Sequence, residues 1–265
     1  MHEPIDLADA RVLISNDDGI HAPGLKLLQK IVRRLAREVW VVAPDSEQSA
    51  SSHSLTMRRP LYVRRLSPRR YSVDGTPTDS VLLAIHEVMK QKPPDLILSG
   101  INRGGNLGED AAYSGTVAAA MEGTLLGFRS IALSMYYRDR AHVRWPTAER
   151  WTGEVLARLA GMAWPKDVLI NVNFPCVPAE AVTGIEVTRQ GRRKIGGAIT
   201  SGTDPRGDTY YWIGYGRRED RDLAGSDLEA VFRGAISVTP LTRNLTHEPS
   251  LAPLRAHLSG GNRPA

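Results

Sequence analysis

The sequence predicts an α/β fold built on a mostly parallel sheet, because strand signals alternate with helical signals up to about residue 180. The strand signals are apolar runs of the length of a buried strand. The helical signals are longer stretches in which apolar residues recur three and four positions apart. Strands separated by helices form a parallel sheet that is covered on both faces, with right-handed crossovers.

The first repeat sets the order of strand, loop and helix. An apolar run starts at Val12 and stops at Asp17 and Asp18, and residues 25–35 then carry apolar side chains at helical spacing. A second apolar strand is predicted over residues 39–43. Later strands are predicted over residues 96–99, 130–134 and 168–172, and their helices over residues 80–90, 116–126 and 147–160.

Two parts of the chain depart from this alternation. A short antiparallel pair is predicted over residues 61–65 and 71–73, with a turn at Pro68. The last third of the chain is the second such part. There we predict extended segments over residues 185–188 and 210–213 around a glycine-rich loop over 191–202, then a helix over 226–232, a strand over 235–239 and a tail helix over 251–258. An exposed hairpin and a tail with scattered leucines usually pack on a partner surface, so we expect a second subunit.

The composition is that of an ordinary globular protein, with 42% hydrophobic and 24% charged residues among 265. We expect one domain over residues 1–265, with a core over about 10–180 and an extended hairpin, final strand and oligomerisation tail over about 181–265. The single Cys176 excludes an internal disulfide and a cysteine-based zinc or iron–sulfur site. No apolar run approaches the roughly 20 residues that span a bilayer, and no secretory signal is present, so we expect a cytoplasmic protein without a membrane partner.

The formal net charge of +5 comes from abundant arginine. A basic surface suits nucleic acid or an anionic small substrate, whereas a solvated edge or loop is the better interpretation of each cluster alone. Because no zinc finger, basic zipper or aromatic RNA-binding motif is present, nucleic acid is not expected as the main partner. The clusters lie at residues 64–65, 69–70, 192–194 and 217–218.

Asp17 and Asp18 directly follow the first predicted strand. In open parallel sheets, ligands bind just beyond the carboxyl ends of the strands. Two carboxylates at that place suit a hard cation such as Mg²⁺, Mn²⁺ or Ca²⁺, all of which prefer oxygen ligands. A solvated turn is an equally good interpretation of this stretch alone, since Asp-Gly is common turn chemistry.

Polar loops follow successive predicted strands, and they contain Asp17 with Asp18, Ser49 and Asn102. In a doubly wound sheet such loops meet at one edge. The two carboxylates, the Ser49 hydroxyl and the Asn102 amide oxygen would then hold a divalent cation and leave positions open for water and a substrate oxygen. Taken singly, Ser49 could be a helix cap and Asn102 a turn residue. As a set on one edge, they favour the functional interpretation.

Anion donors accompany these residues. The amides of residues 104–105 and the helix start at residues 114–116, Ser-Gly-Thr, offer N–H and hydroxyl donors. A cation next to an anion cradle indicates a phosphoryl substrate. His53 either contacts the phosphate or the leaving group, or is a packing residue in a polar loop, with about equal weight.

Familiar nucleotide-binding motifs are absent from the sequence. There is no Gly-x-x-x-x-Gly-Lys-Ser/Thr loop, and Arg103 replaces the first glycine of Gly-x-Gly-x-x-Gly, so a dinucleotide cofactor is unsupported. Residues 16–19 superficially resemble the Asp-x-Asp-Gly signature of haloacid-dehalogenase-like phosphatases. Asn16 occupies the place of that signature's nucleophile and is a poor nucleophile itself, so a covalent phosphoenzyme is not expected.

Ordered motifs that resemble those of the SurE (survival protein E) family cover nearly the whole chain after its first ten residues. They are Ile-Ser-Asn-Asp-Asp-Gly-Ile at 14–20, Ala-Pro-Asp at 43–45, Gln-Ser-Ala at 48–50, His-Ser at 53–54, Gly-Thr-Pro-Thr-Asp at 75–79, Ser-Gly-Ile-Asn-Arg-Gly at 99–104, Ser-Gly-Thr-Val at 114–117, Asn-Val-Asn-Phe-Pro at 171–175, Asp-Thr-Tyr-Tyr-Trp-Ile-Gly at 208–214 and Ser-Val-Thr-Pro-Leu at 237–241.

The resemblance implies a Rossmann-like three-layer α/β/α sandwich, a swapped or extended C-terminal element, and a homodimer or homotetramer. It also implies a metal-dependent 5′/3′-nucleotidase with one divalent cation per subunit, most simply Mg²⁺ or Mn²⁺. Ser52 stands where the family often has glycine, which affects the role of His53. The expected metal ligands are Asp17, Asp18, Ser49 and Asn102, the catalytic residues Asp17, Asp18 and Asn102, and the phosphate-binding residues Asn16, Ser49, His53, Gly104, Ser114, Gly115 and Thr116.

We therefore expect a phosphomonoesterase that uses a metal-activated water to remove phosphate from nucleoside monophosphates. Two alternatives stay open: a nucleotide-binding regulatory protein with little turnover, and a hydrolase of polyphosphate or RNA ends that uses the arginine-rich edge. The first predicts nucleotide-dependent stabilisation without phosphate release. The second predicts steep salt dependence.

Overall fold

The computed structural model describes residues 1–139, 142–194, 198–214, 218–220 and 223–259. A nine-stranded sheet forms its centre, in the order β3-β4-β2-β1-β5-β6-β7-β13-β8. The strands are β1 (Arg11–Ser15), β2 (Glu38–Pro44), β3 (Val63–Ser67), β4 (Arg70–Val73), β5 (Leu96–Arg103), β6 (Arg129–Met135), β7 (Val168–Phe174), β8 (Ile185–Val187), β9 (Arg192–Lys194), β10 (Ala198–Thr203), β11 (Thr209–Gly214), β12 (Arg218–Asp220) and β13 (Ile236–Thr242).

The six neighbouring strands from β4 to β7 run parallel to one another, as the alternation of strands and helices predicts. At one side of this block β3 pairs antiparallel with β4, and at the other side β13 pairs antiparallel with β7. The pairing of β3 with β4 confirms the short antiparallel pair predicted around Pro68. Two small antiparallel ribbons, β10 with β11 and β9 with β12, lie outside the main sheet.

Helices cover both faces of the main sheet. Val12 and Ile14 of β1 belong to the core cluster that includes the first and fourth helices, whereas Leu13 belongs to the cluster of the second and third. This alternation along one strand is the expected result of its two-residue period. The helices are α1 (Pro23–Val32), α2 (Pro77–Leu83, continued by a π-helical turn over Ala84–Val88), α3 (Gly115–Leu125), α4 (Trp145–Ala160), α5 (Asp227–Phe232) and α6 (Glu248–Ser259), with 3₁₀ segments at Leu7–Asp9, Gly108–Tyr113 and Ala179–Ala181.

The strand order reverses direction at β1. The chain moves from β1 to β2 on one side, and later returns to place β5 on the other side of β1. Such a switch point opens a crevice beyond the carboxyl ends of the two central strands, and ligands of open α/β sheets bind there. A ligand site is therefore expected at the loops that follow β1 and β5. No helix in the described part of the chain is both long and apolar enough to pass through a membrane.

Some boundaries differ from the sequence predictions. β5 continues four residues beyond its predicted end at Ser99, because Gly100 adopts a φ of +133° and allows a register shift after which Asn102 pairs with Ser134. Pro240, predicted to follow the last strand, lies inside β13. At that point β8 no longer pairs with β13, so the strand is an edge where proline is tolerated.

The glycine-rich loop predicted over residues 191–202 is wrong where the chain forms β9 and β10, because both strands find antiparallel partners downstream. Residues 195–197 of that prediction, and Arg217 of the basic cluster at 217–218, lie outside the described residues. An exposed hairpin that contains residues 210–213 is present, but its second arm differs from the prediction. Residues 209–214 pair with β10, whereas Ile185–Val187, predicted as the other arm, pairs with β13 in the main sheet.

Candidate active site

A cavity of about 710 Å³ opens at the carboxyl ends of β1 and β5. Its wall includes all four side chains that the sequence selected as cation ligands: Asp17, Asp18, Ser49 and Asn102. They come from three segments, namely the loop after β1, the loop after β2 and the end of β5. The polar segments thus meet at one edge of the sheet, at the switch point.

Asp17 is held by the start of helix α3. The hydroxyl and the amide of Thr116 both donate to its carboxylate, and a Cβ on Gly115 would lie 2.7 Å from the Asp17 Cβ. Only glycine allows the helix to approach this closely, and the helix N-terminus favours the negative charge that it meets. Thr116 therefore bonds Asp17 and Gly115 packs against it. Both were predicted to bind phosphate, but neither is among the residues that line the cavity.

Burial and the neighbouring Asp18 raise the pKa of Asp17 from 3.8 to about 7, and the hydrogen bonds from Thr116 oppose this rise. The side chain is only 6% exposed. Two adjacent carboxylates, one of them buried, repel each other at neutral pH unless a positive charge lies between them or a proton is bound.

Backbone hydrogen bonds fix two further ligands. The Asp18 Oδ2 accepts from the Arg103 amide at 3.0 Å. The Asn102 Nδ2 donates to the Gly104 carbonyl at 2.9 Å. This bond uses the amide nitrogen of Asn102, so its Oδ1, the atom that a cation requires, points away from the Gly104 carbonyl.

The loop after β2 brings Ser49 to the cavity. The Gln48 amide donates to the Asp17 carbonyl at 2.8 Å, which ties this loop to the first one. The Ser49 hydroxyl donates to Glu47 Oε1 at 2.7 Å, and Glu47 also lines the cavity. Sequence reasoning missed Glu47; its only signal was its place two residues before Ser49 in a loop at a strand end.

The donor set suits a divalent cation. It consists of two carboxylate oxygens, one amide oxygen and one hydroxyl oxygen, the kinds of ligand that Mg²⁺ and Mn²⁺ accept. Among the described residues no group of three or more His, Cys, Asp or Glu side chains forms a metal cluster. A cation at this cavity would therefore need neutral oxygens beside the carboxylates, and those of Ser49 and Asn102 lie in the same wall.

The other predicted phosphate-binding residues divide into two groups. Ser114 and Gly104 line the cavity, and Ser114 keeps a hydroxyl proton to donate, because its oxygen accepts from the Val117 amide. The Gly104 amide, however, donates to the Met135 carbonyl at 3.1 Å and is not directed at a ligand. Asn16 is fully buried and bonds the Gly19 carbonyl, which shapes the turn behind the cavity.

His53 does not line the cavity in this structure. Its Nε2 lies 2.8 Å from Glu122 Oε2, a buried carboxylate on α3. Ser52 adopts a φ of +52° and donates through its amide and hydroxyl to the carbonyls of Tyr113 and Ala112. Ser52 thus holds a left-handed backbone conformation that glycine adopts more readily, and its hydroxyl adds a hydrogen bond to the turn.

A second, apolar wall faces the same cavity and was not predicted from sequence. It includes Tyr113, Tyr137, and Ile199 with Ile213 from the β10–β11 hairpin. The two isoleucines lie directly opposite each other in the hairpin register, so one face of the hairpin reaches the cavity.

Comparison with known proteins gives consistent results. The family described as Survival protein SurE matches residues 12–197. A protein named 5′-nucleotidase SurE from Paramagnetospirillum magneticum is 61% identical over 249 residues, covering 94% of this chain and 96% of that protein. A protein of the same name from Rhodospirillum rubrum is 52% identical over 258 residues, covering 96% and 98%. A crystal structure of a SurE protein from Aquifex aeolicus superposes with a TM-score of 0.82 at 39% identity, covering 94% of this chain and 99% of that one.

Proposed function

The chain belongs to the SurE family, and from that premise we propose that it is a metal-dependent 5′-nucleotidase that hydrolyses nucleoside monophosphates to nucleoside and phosphate. The observation that carries the proposal is the meeting of Asp17, Asp18, Ser49 and Asn102 in the wall of one cavity. The volume of that cavity, about 710 Å³, lies in the range of small-molecule sites and accommodates a mononucleotide.

The cation is proposed to be one Mg²⁺ or Mn²⁺ per subunit. When bound, it supplies a Lewis acid for the phosphoryl oxygens and lowers the pKa of a water molecule to the range of a usable nucleophile. Asp17 and Asp18 bring the negative charge that attracts it, and Ser49 and Asn102 add neutral oxygens. Thr116 and the start of α3 hold the Asp17 carboxylate in place, so this ligand needs no rearrangement.

The chain's own groups also act on the phosphate. The Ser114 hydroxyl lies in the cavity wall and donates to a phosphate oxygen, and the Arg103 side chain in the same wall offsets part of the phosphate charge. Attack by water in line with the departing ribose oxygen gives phosphate and a nucleoside. Asn102 is held by its hydrogen bond to the Gly104 carbonyl and Ser114 by the one that it accepts from the Val117 amide, so both groups are in place before a substrate binds.

We also propose 3′-monophosphates as substrates, as the family resemblance implies, and a homodimer or homotetramer as the assembly. The assembly is supported by the β10–β11 hairpin, because it exposes aromatic side chains that a second subunit would bury. Trp212 is 69% exposed, and Tyr210 on the same face of the strand is 45% exposed.

The proposed activity is tested by phosphate release from a panel of 5′- and 3′-mononucleotides, first with EDTA and then with Mg²⁺ or Mn²⁺ restored. We expect release to vanish with EDTA and to return with metal. No release with any divalent metal, from protein whose circular dichroism shows it folded, would contradict the proposal. Nucleotide-dependent thermal stabilisation in that case would favour a binding protein with little turnover.

A further inference from the structure

Arg193 is buried although it belongs to a run of basic residues, Arg192-Arg193-Lys194, that favours a solvated surface. Its side chain is only 2% exposed, whereas that of Arg192 is exposed. Removing a guanidinium from water is costly unless it is paired. A buried arginine in this position therefore needs partners that offset the free-energy cost of its desolvation.

The described partners of the Arg193 side chain come from three parts of the chain. Its Nε lies 3.0 Å from the Asp110 carboxylate and 3.9 Å from that of Glu219 in β12. Its guanidinium lies over the Tyr136 ring, 5.5 Å from the centroid. A side chain held between two carboxylates and a ring has little freedom to move.

Asp110 belongs to the 3₁₀ segment Gly108–Tyr113 and lines the cavity. The same segment is joined to β9 at other points. The Arg193 amide donates to the Glu109 carboxylate. The Asp227 carboxylate accepts from the amides of both Gly108 and Gly191, each at 2.9 Å. We call residues 192–214 the arm. Its first strand, β9, is thus bonded to the segment that forms part of the cavity wall.

Beyond β9, the chain forms the β10–β11 hairpin, whose Ile199 and Ile213 reach the cavity. These side chains are apolar and have no role with a cation or a phosphate. The part of a nucleotide that suits them is the nucleoside, which has apolar faces and no charge. Ile213 is 75% exposed without a ligand, so a bound base would bury it.

We propose that Arg193 is a positioning residue for nucleoside recognition: its ion pair with Asp110 sets the place of the hairpin's Ile199–Ile213 face over the active-site cavity. This inference rests on the proposed function and names the part of the substrate that the arm selects. Within the described part of the chain, the contacts of Arg193 are with Asp110, Glu219, Tyr136 and Glu109, none of which is a proposed cation ligand. Its loss weakens nucleotide binding and leaves the phosphate end of the site intact.

The test compares three affinities in Arg193→Met and in Arg192→Met, the matched control with an exposed arginine. They are the Kd of a nucleoside 5′-monophosphate in the presence of Ca²⁺ or EDTA, the Kd of inorganic phosphate and the Kd of Mn²⁺, each measured by calorimetry. The inhibition constant of phosphate in the activity assay is a second measure of the phosphate affinity. For Arg193→Met we expect nucleotide affinity and KM to weaken about tenfold, the size of one apolar contact with a ligand. The phosphate and Mn²⁺ constants and kcat should change by less than twofold, and Arg192→Met should resemble the wild type.

Two further variants separate positioning from folding. Arg193→Lys keeps the positive charge beside Asp110 but not the planar fork, so it should fold and recover part of the nucleotide affinity. Ile213→Ser should weaken nucleotide binding in the wild type but add little in the Arg193→Met background, because both changes remove the same wall. If Arg193→Met is unfolded, the Arg193→Lys and Ile213→Ser pair gives the same comparison.

Equal losses of nucleotide, phosphate and Mn²⁺ affinity would overturn the inference, because they indicate a general structural role. Unchanged nucleotide affinity in folded Arg193→Met would overturn it as well. A wild-type protein that binds nucleotide without releasing phosphate contradicts the proposed activity and still allows the affinities to be compared. A wild-type protein that binds no nucleotide contradicts both.

Discussion

The two walls of the cavity are built in different ways. The cation wall consists of short segments directly after sheet strands, and its side chains are fixed by backbone amides and by the start of α3. The apolar wall combines Tyr113 and Tyr137 with Ile199 and Ile213 of a hairpin outside the main sheet. The strand that precedes this hairpin, β9, is joined to the cavity segment by the ion pair of Arg193 with Asp110. One wall is part of the folded core, and the other is attached to it.

This difference assigns different tasks to the walls. Charges that bind a cation must be placed accurately and kept out of water, so they suit the rigid switch point. Contacts with a nucleoside depend less on the orientation of one atom, so an attached hairpin is sufficient. We expect substitutions in the first wall to abolish catalysis and substitutions in the second to alter substrate affinity or assembly.

The largest effect is expected from Asp17→Asn. Loss of one of two carboxylate ligands should lower kcat/KM for phosphate release by more than about a hundredfold, the upper range for residues that only support a metal ligand. The matched control is Asp45→Asn, an exposed aspartate at the end of β2 that does not line the cavity. A folded Asp17→Asn protein with full EDTA-sensitive activity would show that the cation wall is wrongly assigned.

The meeting of the proposed cation ligands at one cavity could be predicted from sequence because their signals are local. Asp17, Asp18 and Asn102 each lie within a few residues of the end of an apolar strand, and parallel strands bring such ends to one edge. The helices and most strands were predictable for the same reason, since their periodicity is contained in the segment itself. What the sequence could not show is which strands are neighbours, so the switch point at β1 comes from the structure alone.

The missed residues depend on contacts between distant parts of the chain. Arg193 looks like a surface residue within its basic run, and only the placement of Asp110 beside it explains its burial. His53 was a candidate for phosphate, but its partner Glu122 lies on a helix rich in alanine and glycine. Glu122 is the lone carboxylate of that helix, and this was the available sequence signal for a specific contact there. Thr116 was predicted as an anion donor, and the anion that it binds is Asp17.

The next effect is a pH dependence of stability in the metal-free protein. Because the folded-state pKa of Asp17 is raised to about 7, the folded protein binds a proton that the unfolded chain has lost above about pH 4. Stability from this group is therefore complete below about pH 4 and is lost as pH rises through 7. The decrease amounts to about 1.4 kcal/mol per pH unit within that window.

Urea unfolding of EDTA-treated protein at pH 5.5 and pH 8 measures this effect, with Asp17→Asn as the reference that removes the titrating group. We expect the wild type to lose more free energy of unfolding than the variant between the two pH values, and Mn²⁺ to restore the wild type at pH 8. Equal losses in both proteins would mean that Asp17 does not carry the buried charge.

The smallest effect on the fold itself is expected from Trp212→Ser on the hairpin. Strand alternation places Trp212 on the opposite face from Ile213, away from the cavity, and its side chain is 69% exposed. The unfolding free energy of the single chain should change by about 0.5 kcal/mol or less, and the Kd for nucleotide should stay the same. The sedimentation coefficient should fall, because a second subunit would lose its contact with the arm.

Tyr62→Ser, which alters an aromatic that is 60% exposed and lies outside the arm, should leave assembly intact. If Trp212→Ser weakens nucleotide binding while assembly is retained, the two faces of the hairpin are not separate in function, and the apolar wall works as one unit with the arm.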